Sequence, residues 1–386
     1  MSINLDNNAT TRPAPEVVSA MTECLASDWG NPSSAHRRGI AARRRLELAR
    51  DSVSTLLGCE PSELIFTSGG TEAGNLAVVG GFEQAHAANA ARTLVAAAAT
   101  EHPAIRDAIA ECARLGGEPR QLAVDRHGLV DLEALEAFLK SEGDRCALLS
   151  VMWANNETGV IQPLEAIGRL CREAGVLLHT DAVQWIGRMP CDFASLPIDL
   201  LSCSAHKFHG PKGAGALVVR RGVRITPRSL GGSQERERRG GTENVPAIAG
   251  MGVACDLARA WFDLDRFDAM AGLRDRLERG LEEALGDLVV HGRGAPRLWN
   301  TTNIAFPGTE SQFMVVVLSE RGLAVSGGAA CASGSIQPSG VLLAMGIEPD
   351  LAGSSLRLSL SRSTSPESIE SAIESLTASV KAARGG

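Results

Sequence analysis

The sequence predicts an α/β fold: a mostly parallel sheet covered by helices, with a smaller α+β C-terminal domain. Three observations predict it. Between residues 60 and 220, short continuous apolar runs alternate with segments of helical period, as buried strands and their crossover helices do. The 386 residues, 44% of them apolar, exceed one ordinary domain and can bury a large core. After Gly250 the pattern changes to a long helical stretch, scattered strand-like pieces and a final helix.

In chain order, strands are expected at 63–67, 93–99, 146–152, 176–179, 200–203 and 216–219. Helices are expected between them at 72–82, 104–115, 132–139 and 164–174. The last two strands are joined by a short Gly-rich segment, which leaves room for an antiparallel pair. One helical stretch over 251–285 follows, then strands at 288–290, 302–306 and 355–359 and a helix over 366–383. The domain boundary is expected within the helix after Gly250.

The net charge of −7 gives no reason to expect a nucleic-acid surface. Arg43-Arg44-Arg45 falls in a helical pattern and reads as a solvated helix face. No apolar stretch approaches the ~18 residues a membrane span needs, and residues 1–8 are polar and acidic, unlike a signal peptide. The expected compartment is the cytoplasm, without a membrane partner. Nine scattered cysteines without a CxxC pair argue against a disulfide framework or structural zinc.

In open α/β sheets, ligands collect at the carboxyl ends of the strands. Five consecutive predicted strands end in polar, reactive residues: Ser68-Gly69-Gly70-Thr71, Thr100-Glu101-His102, Asn155-Asn156-Glu157, Thr180-Asp181 and Ser204-Ala205-His206-Lys207. Gly69-Gly70-Thr71 before a helix fits a phosphate cup of backbone N–H groups. Neither GxGxxG nor a GxxxxGK[ST] loop is present, which disfavours a dinucleotide or P-loop nucleotide. Lys207, at a strand end among turn residues, suits a Schiff-base lysine. Asp181, at another strand end, supplies the carboxylate that a pyridoxal phosphate (PLP) ring needs at its nitrogen. His206 and His209 lack a third ligand motif, so no metal is expected. Cys331 stands in Ser326-Gly327-Gly328-Ala329-Ala330-Cys331-Ala332-Ser333-Gly334-Ser335, a loop-like segment without large apolar neighbours, and reads as a reactive thiol.

These residues resemble the cysteine desulfurases of the NifS/IscS type, in the class V aminotransferase branch of fold-type I PLP-dependent transferases. The matching segments are LDNNATT (5–11), NPSSAH (31–36), FTSGGTEAGN (66–75), Glu101-His102, WANNETGVIQ (153–162), HTDAVQ (179–184), SAHKFHGPKG (204–213), GGSQERERRGGTENVP (231–246), the Cys331 loop and SSLRLSLSRST (354–364). The ordered set spans nearly the whole chain.

The resemblance implies a large PLP-binding domain over 15–255. Residues 1–14 and 256–386 would form the small domain carrying the cysteine loop. Lys207 would hold PLP and move protons, Asp181 would pair with the pyridine nitrogen, and Gln184 would bond the ring hydroxyl. His102 would stack on the ring and assist proton transfer. Gly70, Thr71, Ser204 and His206 would hold the phosphate, and Thr242 would reach the phosphate of the neighbouring subunit of a homodimer. Asn156, beside the cofactor, and Arg357 would hold the carboxylate of L-cysteine. Cys331 would take the sulfur as a persulfide, leaving L-alanine, for delivery to a sulfur acceptor or iron–sulfur scaffold protein, with transient contact to an iron–sulfur cluster. Another class V PLP enzyme, such as a selenocysteine lyase or aminotransferase, is the alternative. Three departures from the family pattern stand out: Ser-Gly-Gly-Ala-Ala-Cys at the loop, Gly74 where a larger residue is usual, and an ending at 381–386 without the tail that docks a scaffold.

Overall fold

The computed structural model describes residues 3–327 and 338–385. The chain runs through β1 (Ile3–Asn4), α1 (Pro15–Ser27), α2 (Arg37–Leu57), β2 (Leu64–Thr67), α3 (Gly70–Ala88), β3 (Leu94–Ala98), α4 (Pro103–Arg114) and β4 (Glu118–Leu122). It continues with α5 (Leu132–Glu142), β5 (Cys146–Ser150), α6 (Leu164–Glu173), β6 (Leu177–Asp181), β7 (Leu200–Ser204), β8 (Gly215–Val219), α7 (Val245–Phe262) and α8 (Phe267–Leu285). The remainder is β9 (Val289–Val290), β10 (Thr301–Ala305), α9 (Ser311–Glu320), β11 (Leu323–Ala324), α10 (Gly340–Ala344), α11 (Pro349–Gly353), β12 (Ser355–Ser359) and α12 (Pro366–Ala383).

Seven strands form the main sheet in the order β2-β8-β7-β6-β5-β3-β4. Only β8 runs against its neighbours, β2 and β7; every other pairing is parallel. Two antiparallel steps restore direction, so β2, β3, β5, β6 and β7 all end at one edge of the sheet. Alternate side chains of these strands enter two separate cores, as period-2 geometry requires. Ile65, Val95, Leu148, Leu200 and Leu217 pack under α3 and α4. Phe66, Ala96, Leu149, Leu201 and Val218 pack on the other face with α2, α5, α6 and α7.

The C-terminal part holds the antiparallel sheet β12-β10-β9, over which α8, α9 and α12 place Leu277, Met314 and Leu376. Leu5 joins this cluster, and β1 pairs with β11, so the first residues of the chain lie with the last third.

The helix expected over 251–285 is two helices, α7 and α8, interrupted at 263–266 with Asp265 at φ 46°. The interruption has a packing cause: α7 lies on α1 and α2, whereas α8 lies on α12. α7 also corrects the expectation about apolar stretches. It is 18 residues long with mean hydropathy 1.2, enough by length and composition to cross a membrane. Its Ala247, Met251, Ala254 and Ala258 are buried in the main core, as in an interior helix of a globular protein.

Candidate active site

The shared edge of the main sheet gathers the side chains singled out from sequence. At the end of β2, the α3 helix opens at Gly70, and its first amides point out of the helix N-terminus. A Cβ on Gly70 would sit 2.7 Å from Cγ2 of Val183, and one on Gly69 would sit 3.7 Å from Oγ of Ser204. The cradle is therefore bare backbone facing a buried hydroxyl. Thr71 is exposed at its rim. His206 follows Ser204, with Nδ1 3.1 Å from Oγ1 of Thr10.

At the end of β6, Asp181 accepts the Val183 amide at 2.9 Å. Burial holds its carboxyl above the usual range, and the charges of His102 and Lys207 pull it back. His102 caps α4, its Nδ1 accepting the Ala104 amide at 3.1 Å. That bond leaves Nδ1 without a proton and assigns the hydrogen of a neutral ring to Nε2. Lys207 follows β7; its Nζ donates to the carbonyls of Asn8 (2.6 Å) and Ala9 (2.9 Å). Burial, with Arg188 and Arg357 nearby, pushes its pKa down to about 8. An amine so tuned is partly neutral, hence nucleophilic, near neutral pH.

Gln184 donates to the Asn8 carbonyl at 3.1 Å and accepts from Arg188 at 2.5 Å. Arg357, on β12 opposite Asn303, donates to Asp6 at 2.7 Å and to the Asn156 carbonyl at 3.2 Å. Among the described residues its buried Nε has no hydrogen-bond partner. A planar guanidinium matches the two oxygens of a carboxylate.

Thr242 is exposed on the segment leading into α7, and none of the hydrogen bonds among the described site residues involves it. Cys331 lies outside the described residues, so its expected roles as nucleophile and as contact for an iron–sulfur cluster lie there too. The eight described cysteines are free thiols, six of them buried. Burial pushes Cys59, Cys112 and Cys203 up to about 12, which makes them inert. Among the described residues no group of three or more His, Cys, Asp or Glu side chains is placed to hold a metal.

Two contributors fall in segments the sequence singles out but receive no role from it. Asn8 is 1% exposed and is the hub of the site. Its carbonyl receives Lys207 and Gln184, while its side chain donates to Thr301 (2.9 Å) and the Asn156 carbonyl (3.1 Å). Its only signal is the segment LDNNATT. Glu101 is buried after β3, accepting the Met152 amide at 2.5 Å, and burial followed by the neighbouring Asp181 pushes it up to about 8. Two adjacent carboxyls thus share the site with one retaining its proton at neutral pH. Gly74 also has a reason: Cδ1 of Ile105 on α4 lies 2.6 Å from where its Cβ would be.

The residues present fit PLP: a backbone cradle for a phosphate, a carboxylate for a ring nitrogen, and a tuned amine at the same sheet edge. A family model described as "Aminotransferase class-V" matches residues 3–371. A cysteine desulfurase of Bradyrhizobium diazoefficiens is 46% identical over 372 residues, covering 96% of this chain and 92% of its own. One from Gluconacetobacter diazotrophicus is 43% identical over 378 residues, covering 97% and 92%. Among solved structures, a NifS-like protein superposes with a TM-score of 0.90 at 34% identity, covering 99% of this chain and 100% of its own. That superposition bears out the fold type expected from the sequence.

Proposed function

The chain belongs to the class V aminotransferase family, among its cysteine desulfurases, and from that premise we propose which of its residues perform the reaction. The family is PLP-dependent, and the observation that carries the reading here is the convergence of Lys207, Asp181 and the Gly69-Gly70 cradle at one sheet edge.

Lys207 would hold PLP covalently, Asp181 would keep its ring nitrogen protonated, and Gln184 would bond the ring hydroxyl. Gly70, Thr71, Ser204 and His206 would hold the phosphate. When bound, the cofactor withdraws electrons from the substrate Cα and so weakens the carbon–sulfur bond. Arg357 and Asn156 would orient L-cysteine through its carboxylate. Lys207, released from the cofactor, would move the proton at Cα, and His102, whose Nε2 is the protonated nitrogen of the neutral ring, would assist.

Cys331 would attack the substrate sulfur as a thiolate: one sulfur–sulfur bond forms, the substrate carbon–sulfur bond breaks, and protons restore neutrality. The sum is L-cysteine plus Cys331 thiol giving L-alanine plus Cys331 persulfide. A thiol of pKa ~8.5 is roughly 3% ionised at pH 7, so lowering it to ~7 gains about fifteenfold, or ~1.6 kcal/mol. Placing the thiol against bound substrate contributes ~7–11 kcal/mol. Placement outweighs ionisation.

A homodimer fits the exposed Leu25 and Trp29 at the end of α1, Ile40 on α2, and Leu230. In it Thr242 would reach the partner's phosphate. The persulfide would serve iron–sulfur cluster assembly or thiolation through an acceptor protein, in the cytoplasm. Residues 15–255 would act as the PLP-binding unit, and 1–14 with 256–386 as the unit bearing the nucleophile. The test is Cys331→Ala: a desulfurase stops releasing sulfide from cysteine yet keeps borohydride-sensitive visible absorbance. An aminotransferase of the same family would keep its turnover.

A further inference from the structure

The two ends of the segment that carries Cys331 are fastened to the same small group of residues. At its near end, Ser326 exchanges both backbone hydrogen bonds with Arg357, at 2.8 and 3.2 Å. At its far end, Ser339 donates its hydroxyl to Oε2 of Glu157 at 2.5 Å and accepts the Leu342 amide at 3.2 Å, capping α10. Glu157 directly follows Asn156, whose carbonyl binds the guanidinium of Arg357.

The turn itself is held by the Asn155 side chain. Asn155 Oδ1 accepts the amides of Glu157 (2.9 Å) and Thr158 (3.0 Å), and Asn155 Nδ2 holds the Thr100 carbonyl at 3.2 Å. α10, by contrast, packs into a small cluster of its own, with Val341, Leu342, Met345 and Ala352, outside the three large clusters and joined to one of them through Val124. Burying a carboxylate costs several kcal/mol unless it is hydrogen-bonded, and Glu157, 8% exposed, spends its side chain on Ser339. Five residues from Ser326 and eight from Ser339, position 331 can reach at most about 18 and 29 Å from these anchors.

We propose that Glu157 is a positioning residue for sulfur transfer: through Ser339 it fastens the far end of the Cys331 segment to the turn that presents Asn156 to the substrate. The inference rests on the reading of Cys331 as the nucleophile and of Asn156 and Arg357 as the carboxylate clamp. It adds that the described flanks of the nucleophile's segment are tied, on both sides, to residues of the clamp and its turn.

The test compares Glu157→Gln, Ser339→Ala, Ser339→Thr and Ser339→Gly in the holoenzyme at about pH 8, above the value of about 7 to which burial raises Glu157. At saturating cysteine, Ser339→Ala should slow persulfide formation about tenfold, the size expected for one lost hydrogen bond to a charged group. The cysteine concentration for half-maximal spectral change should stay within twofold. Glu157→Gln should slow it less, Ser339→Thr should restore it, and Ser339→Gly, tolerated as a helix cap but without a hydroxyl to donate to Glu157, should remain slow. Equal rates in Ser339→Gly and the wild type would remove the anchor and overturn the proposal, as would rates in Ser339→Ala within twofold of wild type. A second readout needs no cofactor: hydrogen exchange at the amides of 340–344 should quicken in Ser339→Ala and in Glu157→Gln. If the wild type forms no persulfide, the parent reading fails, and unchanged exchange in both variants would sink the anchor separately.

Discussion

The strand ends of the main sheet and the segment around residue 331 hold their chemistry in different ways. Lys207, Asp181 and Ser204 leave strands whose backbones are paired on both sides and whose side chains fill two cores. Their positions are set by packing throughout those two cores, so losing one functional group leaves the others in place. Cys331, the proposed nucleophile, lies between described flanks, Ser326 and Ser339, that are held by a two-bond backbone bridge and a side-chain hydrogen bond to Glu157. On the proposed reading this is a division of labour: the cofactor pocket would be preorganised by the sheet, whereas the thiol would depend on a few identifiable fastenings at its flanks.

Substitutions can break that division, beginning with the largest effect. Lys207→Ala should abolish borohydride-sensitive absorbance and lower turnover by about a thousandfold or more, in line with losing general acid–base catalysis and the covalent hold together. Absorbance that survives would place the attachment elsewhere. Cys331→Ala should remove sulfide release to a similar extent while leaving absorbance and cysteine binding intact. Parallel loss of absorbance would merge the two regions into one. Next come the roughly tenfold effects expected at Ser339.

A smaller effect tests the pocket through pH. In the folded protein Glu101 is pushed up to about 8 and Glu157 to about 7, mainly by burial. Each keeps its proton at pH values where the unfolded chain has lost it. The folded state thus binds more protons, and stability falls as pH rises toward those values. His206, His209 and His291 are pushed down to about 4 by burial and act the other way, costing stability increasingly as pH drops from ~7.5 through ~6.5 toward their folded values. Between pH ~6.5 and ~7.5 the stability of the cofactor-free wild type relative to Glu101→Gln, read from urea midpoints, should fall by ~1 kcal/mol. An unchanged difference would mean that Glu101 is ionised beside Asp181.

The smallest effect concerns helix packing under the pocket. Gly74→Ala forces Cβ against Cδ1 of Ile105 and should cost about 1 kcal/mol. Adding Ile105→Val, which removes that methyl, should return part of it. Additive losses in the double variant would contradict the contact.

Much of this is legible in the sequence, and unevenly. The strand ends can be read because buried parallel strands are continuous apolar runs, and polar residues that stop such a run mark the edge where ligands collect. β4 escapes such a reading: Glu118-Pro119-Arg120 lies on a sheet edge, where a proline and exposed charges are tolerated, and it carries none of the apolar signal of an interior strand. The break at 263–266 escapes it because Asp263, Asp265 and Arg266 suit a helix surface as well as a turn; what ends α7 is the change of packing partner. Asn8 and Glu101 act through contacts with residues remote in sequence, Asn8 with Lys207, 199 positions on, and Glu101 with Met152, 51 on. Local pattern cannot encode such meetings.

The central claim is that a sheet-edge amine and the thiol at 331 cooperate to move one sulfur atom. Mass spectrometry of the peptide containing residue 331, after incubating the holoenzyme with L-cysteine, tests it most directly. The expected result is a gain of one sulfur atom on that peptide in the wild type and none in Lys207→Ala. Sulfur found on another cysteine, or equally on the Lys207→Ala protein, would contradict it.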